Sequence, residues 1–269
     1  MTYWSNSVDI FVGRKHELKA ILGSLKRGKH SLLFGEKGCG KTALIHEVMK
    51  RSSVRISSKK ILFSDQSVSL KDTCLSLAGC LYDQKMISRL PREFEPLDFN
   101  MPWEKIKPKF ERLKTTPLKN LILNNLRNQN CIIVLDHLGK LKLKFFLFLD
   151  NLRDAAHLVL VVRSNTKKEI GKLWMLLWGF EKIELKALPL HEANQLIAYC
   201  LDGIEGVPEK VVRRIASISH GNPAVIKALC QQIHKQHDLK TSFNVELAEI
   251  DSKIGDFLEA KEDKKKCHS

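Results

Sequence analysis

Gly35-Glu36-Lys37-Gly38-Cys39-Gly40-Lys41-Thr42-Ala43 carries the pattern G-x-x-x-x-G-K-[ST] in full. Before it, His30-Ser31-Leu32-Leu33-Phe34 is a short apolar run that reads as a buried strand. After it, Ala43-Leu44-Ile45-His46-Glu47-Val48-Met49-Lys50 spaces its apolar residues as a helix does. Strand, glycine-rich turn and helix in that order make a phosphate-binding loop. The glycines let the backbone curl so that the N–H groups from Gly35 to Ala43 face a phosphate chain. Lys41 can reach the β- and γ-phosphates, Thr42 can ligate Mg²⁺, and the helix N-terminus favours negative charge. The expected ligands are ATP or ADP with Mg²⁺.

Working outward, an amphipathic helix precedes the loop, with Leu18, Ile21, Leu22 and Leu25 on one face, and Gly28 ends it. Lys60-Ile61-Leu62-Phe63-Ser64-Asp65 reads as a second strand, and a helix follows from Leu70 to Tyr82. Four prolines between Leu90 and Pro108 predict a surface loop there. After a helix near residues 117–129, Cys131-Ile132-Ile133-Val134-Leu135-Asp136 is an apolar run ending in an acid. Downstream of a phosphate loop, such a strand delivers a carboxylate to Mg²⁺. A helix over 141–153 leads to a fourth strand over 158–165, a helix over 170–178 and a fifth strand over 182–185. Beyond Pro189 the pattern changes to helices alone, near 191–201, 207–219, 223–234 and 245–260.

This order predicts an α/β fold: a three-layer αβα P-loop NTPase core with a parallel five-stranded sheet, then a small helical lid. The expected boundaries are 1–188 for the core, 189–260 for the lid and 261–269 for a basic, disordered tail.

Composition narrows the partners. The chain has 269 residues and a formal net charge of +15. From Met101 to Leu149 it carries ten Lys and Arg against Glu104, Glu111 and Asp136, a local net of 10 − 3 = +7. The basic stretch over 105–144 is either a solvated face or a surface for DNA. No run approaches the ~18 apolar residues of a membrane span. The N-terminus has neither the basic start nor the apolar core of a signal peptide. A cytoplasmic protein without a membrane partner is expected. Seven scattered cysteines without a C-x-x-C pair read as free thiols, and Cys39 places one inside the phosphate loop.

The order of the pieces resembles the AAA+ and STAND branch of P-loop ATPases, from Phe11 to about Gln231. Phe11-Val12-Gly13-Arg14-Lys15-His16-Glu17-Leu18 is similar to the "VGR-x-x-E-L" opening of STAND ATPases and archaeal origin-binding initiators. The resemblance implies that Val12, Gly13 and Arg14 line the adenine. Leu185-Lys186-Ala187-Leu188-Pro189-Leu190-His191-Glu192-Ala193 resembles the start of the STAND lid. His220-Gly221-Asn222-Pro223-Ala224 resembles the lid's G-x-P motif, which implies that Pro223 touches the base. Arg163 falls where STAND proteins sense the γ-phosphate, and Asn165 lies near the sensor asparagine of AAA+ proteins; Arg163 is the preferred sensor. Two departures matter. His137 follows Asp136 where an active AAA+ enzyme usually has glutamate, and Pro223-Ala224 replaces the lid arginine of AAA+ proteins. The first predicts slow turnover, with His137 orienting water; the second favours STAND. An arginine finger from a neighbouring subunit could restore rate, with Arg153 one choice.

The resemblance implies an ATPase acting as a nucleotide-controlled switch, with Lys41, Asp136, His137 and Arg163 at the catalytic centre and Thr42 and Asp136 on the metal. Its output would be self-assembly into a homo-oligomer or docking of a separate protein. The alternatives are a DNA-associated AAA+ ATPase of the transposition or replication loader type, and a non-catalytic nucleotide-binding scaffold.

Overall fold

A computed structural model describes residues 11–55, 59–65, 67, 69–88, 99–127, 129–204 and 206–238. The expected helix at 245–260 and the tail at 261–269 lie outside the described residues. The chain divides into two compact units, one spanning 14–186 and the other joining the N-terminal residues through Gly13 to the residues from Ala187 on.

In the first unit five parallel strands form one sheet. They are β1 (Ser31–Phe34), β2 (Lys60–Ser64), β3 (Cys131–Leu138), β4 (His157–Val162) and β5 (Glu181–Glu184), in the order β2-β3-β4-β1-β5. The central strands carry unbroken apolar runs, over 32–34, 132–135 and 158–162, because helices cover both faces, leaving no alternation to read. The helices are α1 (Lys15–Lys26), α2 (Lys41–Arg55), α3 (Leu70–Asp83), α4 (Trp103–Glu111), α5 (Thr115–Leu126), α6 (Leu143–Ala155), and the short α7 (Lys167–Ile170) and α8 (Leu173–Leu176). The main core joins Leu32, Leu62, Ile133, Leu135, Leu158 and Leu160 of the sheet to Leu77, Leu81, Ile122, Phe148 and Leu152 of the helices.

Three expectations need correction. Residues 103–108, read as loop, belong to α4, which contains Pro108. Trp103, Ile106 and Phe110 lie on its packed side, and Trp103 rests on Gly79 of α3. That burial outweighs the hydrogen bond a proline removes. The single helix expected over 170–178 is broken at Gly171, whose φ of 56° ends α7 and whose backbone bridges to Leu141. The fourth strand stops at Val162, so Arg163 and Asn165 stand beyond it.

The second unit is helical: α9 (Leu190–Cys200), α10 (Glu209–Ser219) and α11 (Pro223–Asp238). Leu196, Ile197, Cys200, Ile215, Ile226, Leu229, Cys230 and Ile233 fill its core, and Val12 packs against them. Pro189 and Pro208 stand immediately before α9 and α10, where a missing N–H costs no helix bond. His220 (φ 46°) and Gly221 (φ 72°) reverse the chain before α11, and the Asn222 side chain accepts from Ala224 N at 3.0 Å. Leu188 N donates to the Gly221 carbonyl at 2.8 Å, joining the two stretches that resemble STAND lid motifs.

Candidate functional site

The phosphate loop leaves the carboxyl end of β1 and enters α2 at Lys41. Gly38 (φ 86°) and Gly40 (φ 96°) hold backbone angles that side chains resist, so the turn needs glycine at both. The first turn of α2 contains no acidic residue to compete for its N–H groups. Glu36, Lys37 and Ala43 are exposed, Gly35, Gly38, Gly40, Lys41 and Thr42 are half-buried, and Cys39 is buried. Lys41 Nζ donates to the carbonyls of Gly35 at 2.7 Å and Glu36 at 2.8 Å, and lies 3.8 Å from Cys39 Sγ.

β4 lies between β1 and β3, so the loop and the acid come from strands that are not neighbours. They still meet: Thr42 Oγ1 donates to Asp136 Oδ2 at 2.6 Å. Asp136 is 1% exposed. Its other oxygen accepts from His137 N at 2.7 Å. Two hydrogen bonds thus partner a buried carboxylate that would otherwise be costly. These two oxygens are the hard donors that Mg²⁺ prefers, so the residues present fit that ion.

His137 has a φ of 59°, and the β3–β4 register shifts between Leu135 and Leu138. Its ring is exposed, with Nδ1 3.0 Å from the Asp65 carbonyl and 3.4 Å from Asp136 Oδ1. A carbonyl only accepts, so Nδ1 carries a proton and donates to it. Arg163 is exposed one residue past the end of β4, the strand that lies between β1 and β3. Asn165 is exposed two residues further on.

Arg14 is held among backbone carbonyls. It is 7% exposed. Its guanidinium donates to the carbonyls of Cys39, at 3.0 Å, and Lys186, and pairs with Glu17 at 3.2 Å. It thus braces the phosphate loop from behind. No local pattern carries that contact, which joins residues distant in sequence. In the second unit, Gly13 (φ 71°) lies so close to Glu192 that a Cβ would collide with that carboxylate. Pro223 is half-buried at the start of α11. Arg153 pairs with Asp150 at 3.0 Å and lines a cleft with His30, Cys131 and His157 at the amino ends of the strands. That is the edge opposite the loop of its own chain.

No family model matches the chain and no curated protein matches it. Solved structures do. The Aeropyrum pernix ORC1 protein, solved in complex with DNA, has a TM-score of 0.60 at 16% identity, over 87% of this chain and 63% of that one. Cdc6p of Pyrobaculum aerophilum has a TM-score of 0.60 at 14% identity, over 86% and 63%. A replication initiator DnaA, bound to AMPPCP and single-stranded DNA, has a TM-score of 0.52 at 14% identity, over 84% and 63%. The fold is that of the AAA+ P-loop ATPases. The chain spans 63% of the length of each of these three proteins. On this AAA+ fold the Thr42–Asp136 pair and Arg163 all stand at the carboxyl edge of the sheet. Among the described residues no helix is long and apolar enough to cross a membrane.

Proposed function

We propose that this chain is an ATP-binding, slowly hydrolysing ATPase of the AAA+/STAND type that works as a nucleotide-controlled switch. The observation that carries the reading is the 2.6 Å contact between Thr42 and the buried Asp136, at the end of a loop whose Lys41 ammonium is held by the Gly35 and Glu36 carbonyls. Thr42 and Asp136 would hold Mg²⁺, which neutralises phosphate charge as the γ-phosphoryl leaves. Lys41 would exchange the weak sulfur acceptor of Cys39 for a β- or γ-phosphate oxygen. The N–H groups of Gly38, Cys39 and Gly40 would cradle the phosphates. His137 Nε2 would accept a hydrogen bond from the attacking water. An imidazole held this way offers one uncharged acceptor nitrogen where a glutamate offers two oxygens and a negative charge, so it orients and polarises water less well, which supports slow turnover. Arg163 would contact the γ-phosphate; only such a differential contact lets ATP and ADP select different states. The domain reading, a core to residue 188 and a lid from 189 to 260, belongs to the same proposal. So does the output, self-assembly or docking of a separate protein.

Calorimetric titration with ATP, with and without Mg²⁺, tests this. Wild type is expected to bind. Lys41→Ala is expected to lose binding at least ten-fold, and Asp136→Asn to lose the increment due to Mg²⁺. A wild type that does not bind ATP would sink the reading.

A second reading, association with DNA, is favoured by the exposure of Lys105, Lys107, Lys109, Arg112, Lys114, Arg127, Lys140, Lys142 and Lys144. The fold shared with DNA-bound ORC1 adds support. Turnover and particle size that rise with duplex DNA, and fail to rise in Lys41→Ala, would carry it.

A further inference from the structure

One surface of the first unit is apolar where neither nucleotide nor phosphate chemistry requires it. Leu143 and Leu147, four apart on α6, are 51% and 47% exposed. Trp174 and Met175 of α8 and Trp178 just beyond it are 41%, 62% and 81% exposed. α6 and α8 pack together, Leu141 bridges to Gly171, and the Lys140 side chain lies against Gly171. The inward sides of the same helices are already filled by Phe145, Phe148, Leu149, Leu173 and Leu176. The outward residues are therefore an additional apolar face, and such patches mark interaction sites.

The rim fixes the chemistry of the occupant. Lys140, Lys142, Lys144, Lys167, Lys168 and Lys172 are all exposed around the patch, against exposed Glu169 and half-buried Asp150. The partner must be apolar at its centre and acidic at its edges. Stacked bases fit poorly: Leu143, Leu147 and Met175 offer no π-face, and Lys167 Nζ stands 5.4 Å over the Trp174 ring.

The chain itself carries a segment of that description. Val245-Glu246-Leu247-Ala248-Glu249-Ile250-Asp251-Ser252-Lys253-Ile254-Gly255-Asp256-Phe257-Leu258-Glu259 holds five acids and one lysine, a net of 1 − 5 = −4 in a chain of net +15. Leu247, Ile250, Ile254 and Phe257 fall at helical spacing, with the acids between them. The segment lies outside the described residues. We infer that residues 245–259 of one copy dock on the Leu143–Leu147–Trp174–Met175–Trp178 patch of a second copy. The two surfaces differ, so the contact is head-to-tail and propagates unless a ring closes. A patch-to-patch dimer would instead oppose two lysine rims. The inference rests on neither nucleotide nor DNA binding.

Light scattering of the full, nuclease-treated chain without nucleotide tests it. The mass is expected to rise with concentration past that of a dimer. Reversing the rim (K144E/K168E/K172E) or the segment (E246K/E249K/E259K) should each leave a monomer. Mixing the two variants should restore assembly, since each variant's segment meets a rim of opposite charge on the other. Trp178→Ser, at a highly exposed residue and without a charge change, should also lower assembly at least ten-fold. A wild type that stays monomeric overturns the inference, as does assembly that survives all three changes. Growth only on adding an oligonucleotide or anionic vesicles would also overturn it, assigning the patch to that partner.

Discussion

At the scale of single residues, the site depends on groups whose roles only contact reveals. Arg14 is the clearest. A planar fork reaches the Cys39 and Lys186 carbonyls and the Glu17 carboxylate together; a lysine ammonium at the end of a flexible stem cannot match that geometry. Arg14→Lys is expected to cost about 2–3 kcal/mol of stability, the scale of one or two charged hydrogen bonds. It should also weaken ATP binding, because the Cys39 carbonyl loses its anchor. Thermal melting with an ATP titration checks both, and an unchanged melting temperature would show that the clamp carries no energy. The loop was legible from its residues because the glycines, Lys41 and Thr42 are contiguous. Arg14 was read as a base contact from its motif, and its bracing role depends on residues far away in the chain.

At the scale of elements, two junctions carry predictions. Trp103 of α4 lies on Gly79 of α3, where an added Cβ would come 2.9 Å from the indole. Gly79→Ala gains up to ~1 kcal/mol of helix propensity. Overpacking costs roughly 1–3 kcal/mol and is expected to win, because the whole ring is wedged between helices. A lower melting temperature is the expected result; a higher one would mean that α4 shifts freely. The amino edge of the sheet carries the second. His30 Nδ1 accepts from Leu158 N at 3.0 Å, which requires that nitrogen to be unprotonated. Burial, then the nearby His157 and Arg153, push the His30 pKa below 6.5. Burial and then Lys59 lower His157 as well. Both rings fold neutral, while the unfolded chain takes up protons near 6.5. Stability is therefore full above that pH and falls as pH drops from it toward the lower folded-state values. Melting temperatures at pH 7.5 and 5.5 should show a drop that His30→Gln reduces; a rise on acidification would contradict it.

At the scale of the whole molecule, charge is the dominant feature. A chain of net +15 with an exposed run of lysines from 105 to 144 should meet DNA mainly through phosphates. If about six phosphates are neutralised, affinity should fall by about 10³ between 50 and 200 mM salt. Fluorescence anisotropy with a labelled duplex measures this. A flat salt dependence would remove the electrostatic basis of the DNA reading, leaving a protein partner as the output.

The strands and the phosphate loop follow from local patterns: unbroken apolar runs bounded by turns, and a contiguous loop motif. Those signals survive in sequence because each is set by neighbours within a few residues. What only the tertiary structure decided is non-local. The order β2-β3-β4-β1-β5 places a strand between the loop and Asp136 and still brings Thr42 to 2.6 Å from it. α4 forms despite its proline because a face made by α3 is there to bury Trp103. The exposed Trp178 and Met175 look like core residues in sequence, and their neighbours fill the core without them. Each of these outcomes depends on surfaces assembled from distant parts of the chain, which composition and spacing do not encode.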